Sequence, residues 1–238
     1  MEKQKALHYV DEWANFYLKI FGNAEHMEMH DNGRYTLMRP KVGENGPTSI
    51  YNIRLEQLND DELSKMVQEI KAMNHHTWWN QYSDRVNNVI FPEGRHECGP
   101  DDWEVFAVML PEELPTYPDN PIRVRCVETT RDFDIWLNIC HDKGLQSNHF
   151  HLCQKGIMRC YIGYAQDVPV SVVAMLKNNR IYSLEFASTL SEYQKKGFAM
   201  AVCQTAIRDA IQDGAEVITA RAYDESKFLG QKLGFIYI

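Results

Sequence analysis

The sequence predicts an α+β (mixed α/β) protein, and the clearest signals lie after residue 122. Three apolar runs at 157–164, 169–176 and 181–187 are separated by turn residues, which indicates three successive antiparallel strands. Apolar residues at helical spacing follow between Ala199 and Ile211 and end before Gly214. The remaining pattern indicates a strand, a helix and a last strand, at 217–222, 226–233 and 235–238.

The segments before residue 122 predict elements of their own. Apolar residues at three- and four-residue steps favour an amphipathic helix over 3–20. Asp31-Asn32-Gly33 lies between two short runs and is typical of a β-hairpin turn. A strand is expected at 49–55, and the acidic residues 60–62 open a helix that runs to about Met73.

A proline-rich segment predicts the domain boundary. Residues 104–110 favour a short strand, and four prolines follow within eleven residues, which excludes regular structure there. We therefore expect an N-terminal domain at 1–121 and a C-terminal domain at 122–238. The second domain begins with a strand at 122–127 and a helix from Thr130.

Composition and charge exclude several classes of protein. The chain has 238 residues and a net charge of −8, and no run is long and apolar enough for a signal peptide or a membrane helix. Residues 1–121 hold 11 Lys and Arg against 21 Asp and Glu, whereas residues 122–238 hold 14 against 12. Without basic clusters, neither nucleic acid nor a membrane surface is an expected partner. The six scattered cysteines favour buried free thiols, and we expect a cytoplasmic protein.

The stretch from Gln194 to Ala199 indicates an anion site at the start of a helix. Gly197 lets an anion approach the unpaired N–H groups of the first helical turn, and the helix dipole favours negative charge there. His149, His151 and Cys153 are metal-ligand types, but their alternate spacing on a predicted helix does not place them on one face. We expect no metal.

From residue 122 onward the chain resembles the GNAT superfamily of acyl-CoA-dependent N-acyltransferases. The motif Gln194-x-x-Gly197-x-Ala199 follows a strand, and Lys232-Leu233-Gly234-Phe235 lies near the end. The resemblance covers about half of the chain. It implies a central mixed sheet flanked by helices, acetyl-CoA as co-substrate, and acetyl transfer to a primary amine of a small molecule.

The resemblance also implies which residues hold the cofactor. In the family, the fourth and fifth strands separate and the pantetheine arm enters the gap, which assigns that contact to Ala187, Ser188 and Thr189. The pyrophosphate contacts, made first by backbone, then fall on Gln194, Lys195, Lys196, Gly197, Phe198, Ala199 and Met200. The alternative for the two lysines is that they are solvated residues at a helix start.

Catalytic residues are harder to assign by resemblance. Some relatives carry a catalytic glutamate at the position of Ser183. Glu185 lies two residues further along, on the same face of the strand, so Glu185 is the candidate base. The alternative is that Glu185 has only a structural role. Many relatives carry a tyrosine that protonates the leaving thiolate where this chain has Gly230. Tyr223 is the nearest substitute, unless it only packs. This departure keeps open a second function, a catalytically weak acyl-CoA sensor or interaction module.

A further departure is that the chain stops four residues after Gly234, whereas relatives add a strand that closes the sheet. We expect either the N-terminal half or a second subunit, in a homodimer, to cover that edge. The acidic half is expected to be a degenerate GNAT-like companion domain. Its charge favours a cationic amine substrate, with a solvated acidic surface as the alternative.

Overall fold

The computed structural model describes residues 9, 12–13, 16–17, 19–20, 27–44, 48–51, 53–73, 76–77, 84–90, 105–109, 111, 122–140, 145–222 and 224–237. The chain divides into two compact units, Met1–Glu104 and Val105–Ile238. The division lies before the proline-rich segment, whereas the sequence predicted a boundary at residue 121. The reason is that the strand at 105–109 pairs within the sheet of the second unit.

The first unit contains a four-stranded sheet and two fully described helices. Its strands lie in the order β1-β2-β3-β4, antiparallel except for the β3–β4 pair. Their bounds are β1 Met27–Asp31, β2 Thr36–Pro40, β3 Ser49–Tyr51 and β4 His76–Thr77. The helices are α1 Asp60–Ala72 and α2 Asp84–Ile90. Of the helix predicted over 3–20, the residues that the structure describes are helical.

Local sequence explains the hairpin and the first helix of this unit. Asp31 and Asn32 side chains accept backbone N–H bonds within the turn, and Gly33 has a φ of +83°, so the hairpin prediction is confirmed. Asn59 and Glu62 form a capping box at the start of α1. The helix buries one apolar face, formed by Leu63, Met66, Val67 and Ile70.

The second unit contains a seven-stranded mixed sheet in the order β11-β5-β10-β9-β8-β7-β6. All neighbouring pairs are antiparallel except β9–β10, which is parallel. The strands are β5 Val105–Met109, β6 Arg123–Cys126, β7 Met158–Ala165, β8 Val168–Asn178, β9 Ile181–Thr189, β10 Val217–Ala222 and β11 Ile236–Tyr237. The helices are α3 Thr130–Ile139, α4 Phe150–Gln154, α5 Phe198–Gln212 and α6 Asp224–Leu233.

Helix α5 packs along one face of this sheet. Its buried residues include Val202, Ala206 and Ile207, which share a core cluster with Val173 and Leu184 of the sheet. Helix α3 buries Phe133, Trp136 and Ile139, and the Trp136 indole Nε1 donates to the Val173 carbonyl at 3.0 Å. The predicted three-strand meander is confirmed as β7, β8 and β9.

Strand β5 covers the side of β10 that faces away from β9. It pairs with β10 through five residues and with β11 on its other side. The expectation that the N-terminal half closes this part of the sheet is therefore confirmed for residues 105–109. This pairing satisfies backbone groups of β10 that would otherwise lie at an open sheet edge.

Candidate functional site

Strands β9 and β10 separate partway along their length. Their parallel pairing runs from Ile181 and Val217 to Leu184 and Ala220. Strand β9 then continues to Thr189, while the last two residues of β10 pair with β5. A wedge-shaped gap therefore opens between the two strands at the carboxyl end of β9.

A β-bulge marks the point of separation. Glu185 pairs with Ala174, but the next pair joins Ser188 to Val172, so that two residues of β9 face one residue of β8. Phe186, in the bulge, has a φ of +58°. A left-handed backbone conformation costs a residue other than glycine roughly 1–2 kcal/mol. Bulges bend and twist the strand that carries them. The bulge accounts for the divergence of β9 from β10.

The predicted pantetheine residues lie beyond this bulge. Ala187 is exposed, and Ser188 and Thr189 are half-buried. The Leu190 N–H donates to the Val170 carbonyl at 2.9 Å, and backbone groups alternate in direction along an antiparallel strand. The Thr189 N–H is therefore directed away from β8, toward the side where β10 has diverged.

The segment between β9 and α5 returns close to the end of β9. Gln194 Nε2 donates to the Thr189 carbonyl at 3.2 Å, so this side chain holds the turn against the strand. Lys195 and Gly197 both have left-handed backbones, with φ values of 60° and 90°. Helix α5 begins at Phe198, because its N-cap Gly197 has a left-handed, non-helical conformation.

The N-terminus of α5 presents backbone donors without a side-chain cap. The first intrahelical donor is the Ala201 N–H, which bonds to the Gly197 carbonyl at 3.0 Å. The N–H groups of Phe198, Ala199 and Met200 precede it and receive no side-chain cap from Gly197. The first turn contains no acidic residue. Unpaired N–H groups and the helix dipole favour an anion at this position.

The two lysines of the turn differ in their surroundings. Lys196 Nζ donates to the Glu192 carbonyl at 2.8 Å and lies 5.4 Å from the centroid of the Tyr193 ring. The Lys196 ammonium is therefore stabilised by groups of the same loop. Both lysine side chains are exposed, but within the described residues only that of Lys196 makes a hydrogen bond or a ring contact.

Glu185 is buried at the start of the gap and is paired with an arginine. Ser183 Oγ donates to its Oε1 at 2.5 Å, and Arg221 donates to its Oε2 from Nη2 at 2.6 Å and from Nε at 3.2 Å. The Glu185 and Arg221 side chains are 3% and 11% exposed. Because Leu184 belongs to the α5 core cluster, Ser183 and Glu185 point to the opposite face of the sheet.

Sequence reasoning missed Arg221. A signal exists, since this arginine interrupts a run of small and apolar residues in a strand, and a buried charge needs a partner. The other catalytic candidate, Tyr223, lies outside the residues that the structure describes. Gly230 lies in α6, where its carbonyl accepts from the Phe235 N–H at 3.0 Å.

The histidines near α4 bond to backbone groups of the preceding turn. His149 Nδ1 lies 3.0 Å from the Gln146 N–H, and His151 Nδ1 lies 2.7 Å from the Asn148 carbonyl. Within the described parts of the chain, no three His, Cys, Asp or Glu side chains are grouped so that they could hold a metal ion. No helix there is long and apolar enough to cross a membrane.

The mixed sheet, whose parallel strands β9 and β10 are joined through helix α5, has the same fold as N-acetyltransferases of known structure. The structure is similar over most of its length to a GCN5-related N-acetyltransferase from Kribbella flavida. The two have a TM-score of 0.64 and 13% sequence identity, over 95% of this chain and 91% of that protein.

Two further solved structures are similar. One is a conserved protein of unknown function from Staphylococcus epidermidis, with a TM-score of 0.50, 11% identity, and 93% of each chain covered. The other is an acetyltransferase from Bacillus subtilis in complex with CoA, with a TM-score of 0.42, 22% identity, and coverage of 48% of this chain and 76% of that one. No family model matches the chain, and no curated protein matches its sequence.

Proposed function

We propose that the protein is an N-acetyltransferase that moves the acetyl group of acetyl-CoA to a primary amine of a small molecule. The observation that carries this proposal is the gap after Leu184 and Ala220 together with the uncapped N-terminus of α5. The bond from Gln194 to Thr189 keeps these two features close to one another. A CoA molecule needs both, a slot for its pantetheine arm and donors for its pyrophosphate.

In this proposal the pantetheine arm lies along β9 and bonds to backbone groups of the segment Ala187–Ser188–Thr189. An extended ligand with amide groups pairs with an open strand edge as an added strand would. The outward direction of the Thr189 N–H supports this assignment. The pyrophosphate is received by the turn Gln194–Lys195–Lys196–Gly197 and by the first N–H groups of α5, those of Phe198, Ala199 and Met200.

The reaction proposed is direct attack of the neutral amine nitrogen on the thioester carbonyl carbon. A C–N bond forms, the C–S bond breaks, CoA leaves as a thiolate, and the nitrogen loses a proton. Glu185 is the proposed proton acceptor, and Arg221 is a positioning residue that fixes its carboxylate at the start of the gap. Tyr223 remains the proposed donor to the leaving sulfur; a thiolate with a solution pKa of about 8.5 also leaves tolerably without one.

A second candidate function is an acyl-CoA sensor with little turnover. It is favoured by the engagement of both Glu185 carboxylate oxygens, by Ser183 and Arg221, because an acceptor already hydrogen-bonded to a guanidinium is less available to a substrate proton. Gly230 also favours the sensor function, since many GNAT proteins carry at this position a tyrosine that protonates the leaving thiolate.

For the first unit we propose a degenerate companion domain of the same superfamily. Its small mixed sheet with helices supports this proposal. The acidic balance of residues 1–121 supports a cationic amine as the acceptor. Separate expression of the two units with amine-binding measurements would test it, and acceptor binding by the second unit alone at full affinity would contradict it.

The cofactor site is tested by Gly197→Glu with Gly214→Glu as its matched control. Both glycines have positive φ, 90° and 87°, and flank the same helix, so both variants carry similar backbone strain and the same added charge. A Cβ atom at Gly197 would contact Ile122 Cδ1 at 3.8 Å, an ordinary van der Waals distance, so the cost to the fold should be limited to the backbone strain that both variants share. We expect Gly197→Glu to weaken acetyl-CoA binding by roughly 100-fold, about 2.7 kcal/mol, and Gly214→Glu to leave it unchanged.

Turnover is tested separately, by incubating the protein with acetyl-CoA and a panel of polyamines, aminoglycosides, amino acids and peptides and measuring free thiol. Amine-dependent thiol release supports the transferase. Tight acetyl-CoA binding without release on any amine supports the sensor. Equal affinity of the Gly197→Glu variant and the wild type would overturn the cofactor site that both functions share.

A further inference from the structure

A second pocket of the C-terminal unit lies at the other end of α5. Its volume is about 210 Å³, and it is lined by residues of β6, β7, β8, β9, α4 and the C-terminal end of α5. Ala210 and Asp213 place it at the opposite end of the helix from Gly197. It is therefore separate from the proposed CoA site.

Two cysteines of this region are in contact. Cys153 Sγ, in α4, lies 3.9 Å from Cys160 Sγ, in β7. Cys153 lines the pocket and is partly exposed, whereas Cys160 is 0% exposed and lies behind it. An accessible thiol backed by a buried one is the arrangement in which the first reacts with an oxidant and the second displaces the product.

The two thiols also differ in ionisation. The hydrogen bond from the Cys160 thiol lowers the pKa of Cys153, and burial raises the pKa of Cys160 well above its usual value. Burial likewise raises the pKa of Cys126, the other cysteine that lines the pocket. Of the two pocket thiols, Cys153 is therefore the better nucleophile.

The local chain permits the two sulfurs to approach. A disulfide needs an S–S distance of about 2.05 Å. Helix α4 has five residues, and it is joined to β7 by a short turn in which Gly156 has a φ of +67° and open space around it. Closing the sulfur–sulfur distance from 3.9 Å therefore requires a rotation of the two side chains and a shift of this short helix.

We propose that Cys153 and Cys160 form an oxidisable dithiol that hydrogen peroxide entering this pocket converts to a disulfide. The Cys153 thiol first ionises, its thiolate attacks one peroxide oxygen and the O–O bond breaks. The departing hydroxide takes up the proton that Cys153 released, so that a sulfenic acid and one water result. The Cys160 sulfur then attacks the Cys153 sulfur, its proton passes to the departing oxygen, and a second water leaves. The pair loses two electrons and two protons, and the peroxide is reduced to two waters.

The test treats the full-length protein, in a Cys98→Ser background, with hydrogen peroxide and follows intact mass, dimedone labelling and peptide maps. We expect one disulfide per chain, mapped to Cys153 and Cys160 and reversed by a dithiol reductant. Thiol loss at Cys153 should be roughly tenfold or more faster than at Cys203, whose pKa burial raises to about 12.

Variants separate the two steps. Cys160→Ser should stop at a sulfenic acid on Cys153 that dimedone traps, and Cys153→Ser should leave Cys160 unreacted. Cys203 lies in α5, outside the pair, so the Cys203→Ser variant should form the same disulfide as the Cys98→Ser background protein. A disulfide mapped to Cys126 or Cys140 instead, or oxidation of Cys126 ahead of Cys153, would overturn the proposal.

Discussion

Arg221 donates two hydrogen bonds to the same carboxylate oxygen of Glu185, one residue beyond the point where β9 and β10 stop pairing. The ion pair thus bridges the two strands at the base of the gap, where backbone hydrogen bonds no longer do. Both side chains are nearly inaccessible to solvent. A buried pair of this kind adds little net stability, but loss of one partner leaves an uncompensated charge.

Arg221→Met should destabilise the protein by about 3–5 kcal/mol, measured by urea unfolding. The double variant Glu185→Gln/Arg221→Met should recover most of that loss, because no buried charge remains. Arg180→Met is the matched control, since Arg180 pairs with Glu216 on the surface, where both side chains are more than half exposed, and should cost at most about 1 kcal/mol. Equal losses for Arg180→Met and Arg221→Met would contradict this account.

Glu185→Gln should lower kcat by roughly 10²- to 10⁴-fold if Glu185 accepts the amine proton. The amide still offers an oxygen to Arg221 but leaves its charge uncompensated, so the free energy of unfolding should fall, whereas the KM of the folded variant for acetyl-CoA should change little. The control is Glu192→Gln, which changes an exposed residue of the neighbouring loop. A kcat of Glu185→Gln within about threefold of the wild-type value would show that Glu185 is not the proton acceptor.

The sequence was sufficient for elements that depend on local patterns. The meander of β7 to β9, the hairpin at Asp31 and the apolar face of α5 follow from turn residues and periodicity, which act over a few residues. The sequence was not sufficient for contacts between distant residues. The place of β5 beside β10 and the Glu185–Arg221 pair, 36 residues apart, depend on how the strands are ordered in the sheet.

Parts of the candidate site could not be predicted from the sequence, and the reason is physical. The motif around Gly197 indicated the anion turn, because glycine is needed where φ is positive. Phe186 and Lys195 have positive φ as well, yet these residue types carry no such signal. The bulge that opens the gap could therefore not be located from residue types alone.

Lys195→Gln should weaken acetyl-CoA binding about fivefold, near 1 kcal/mol, whereas Lys196→Gln should change it less than about twofold. The reason is that the Lys196 ammonium already contacts the Glu192 carbonyl and the Tyr193 ring, whereas Lys195, which is equally exposed, makes no such contact within the described residues. Calorimetric titrations at low and high salt check this, since the Lys195 effect should shrink with salt. A larger loss of affinity for Lys196→Gln than for Lys195→Gln would contradict the assignment of Lys195 to the pyrophosphate site.

The Asp31→Asn variant should lose less free energy of unfolding than the wild type when the pH is lowered. Hydrogen bonds from Arg54, and then from the Gly33 N–H, lower the pKa of Asp31 to about 2 from an ordinary 3.8. A lowered folded-state pKa stabilises the protein above pH 3.8 and that stability is lost as pH falls toward 2. Because the pair is about half exposed, the effect should stay below about 1 kcal/mol.

Urea unfolding at pH 6 and pH 3 measures this effect. Asparagine keeps an acceptor for the Gly33 N–H, so the hairpin turn should remain. Arg54→Met should flatten the same part of the pH dependence, because it removes the largest cause of the shift. Identical pH dependences for the wild type and both variants would refute the assignment.

Gly163→Ala tests how closely α5 packs on the sheet. A Cβ atom at Gly163, in β7, would lie 2.7 Å from Val202 Cγ1 in the second turn of α5, which is closer than real Cβ contacts allow. We expect a loss of about 1–3 kcal/mol in unfolding free energy, and a lower affinity for acetyl-CoA, because the shift is passed to the helix that carries the N-terminal donors.

The control is the double variant Gly163→Ala/Val202→Ala, in which the clashing methyl is removed. It should regain cofactor affinity even where stability is not fully restored, since Val202→Ala alone also loses buried apolar contacts. Stability is measured by urea unfolding and affinity by calorimetry. If Gly163→Ala lowers stability but leaves acetyl-CoA affinity unchanged, then the sheet yields to the added methyl group and the start of α5 stays in place.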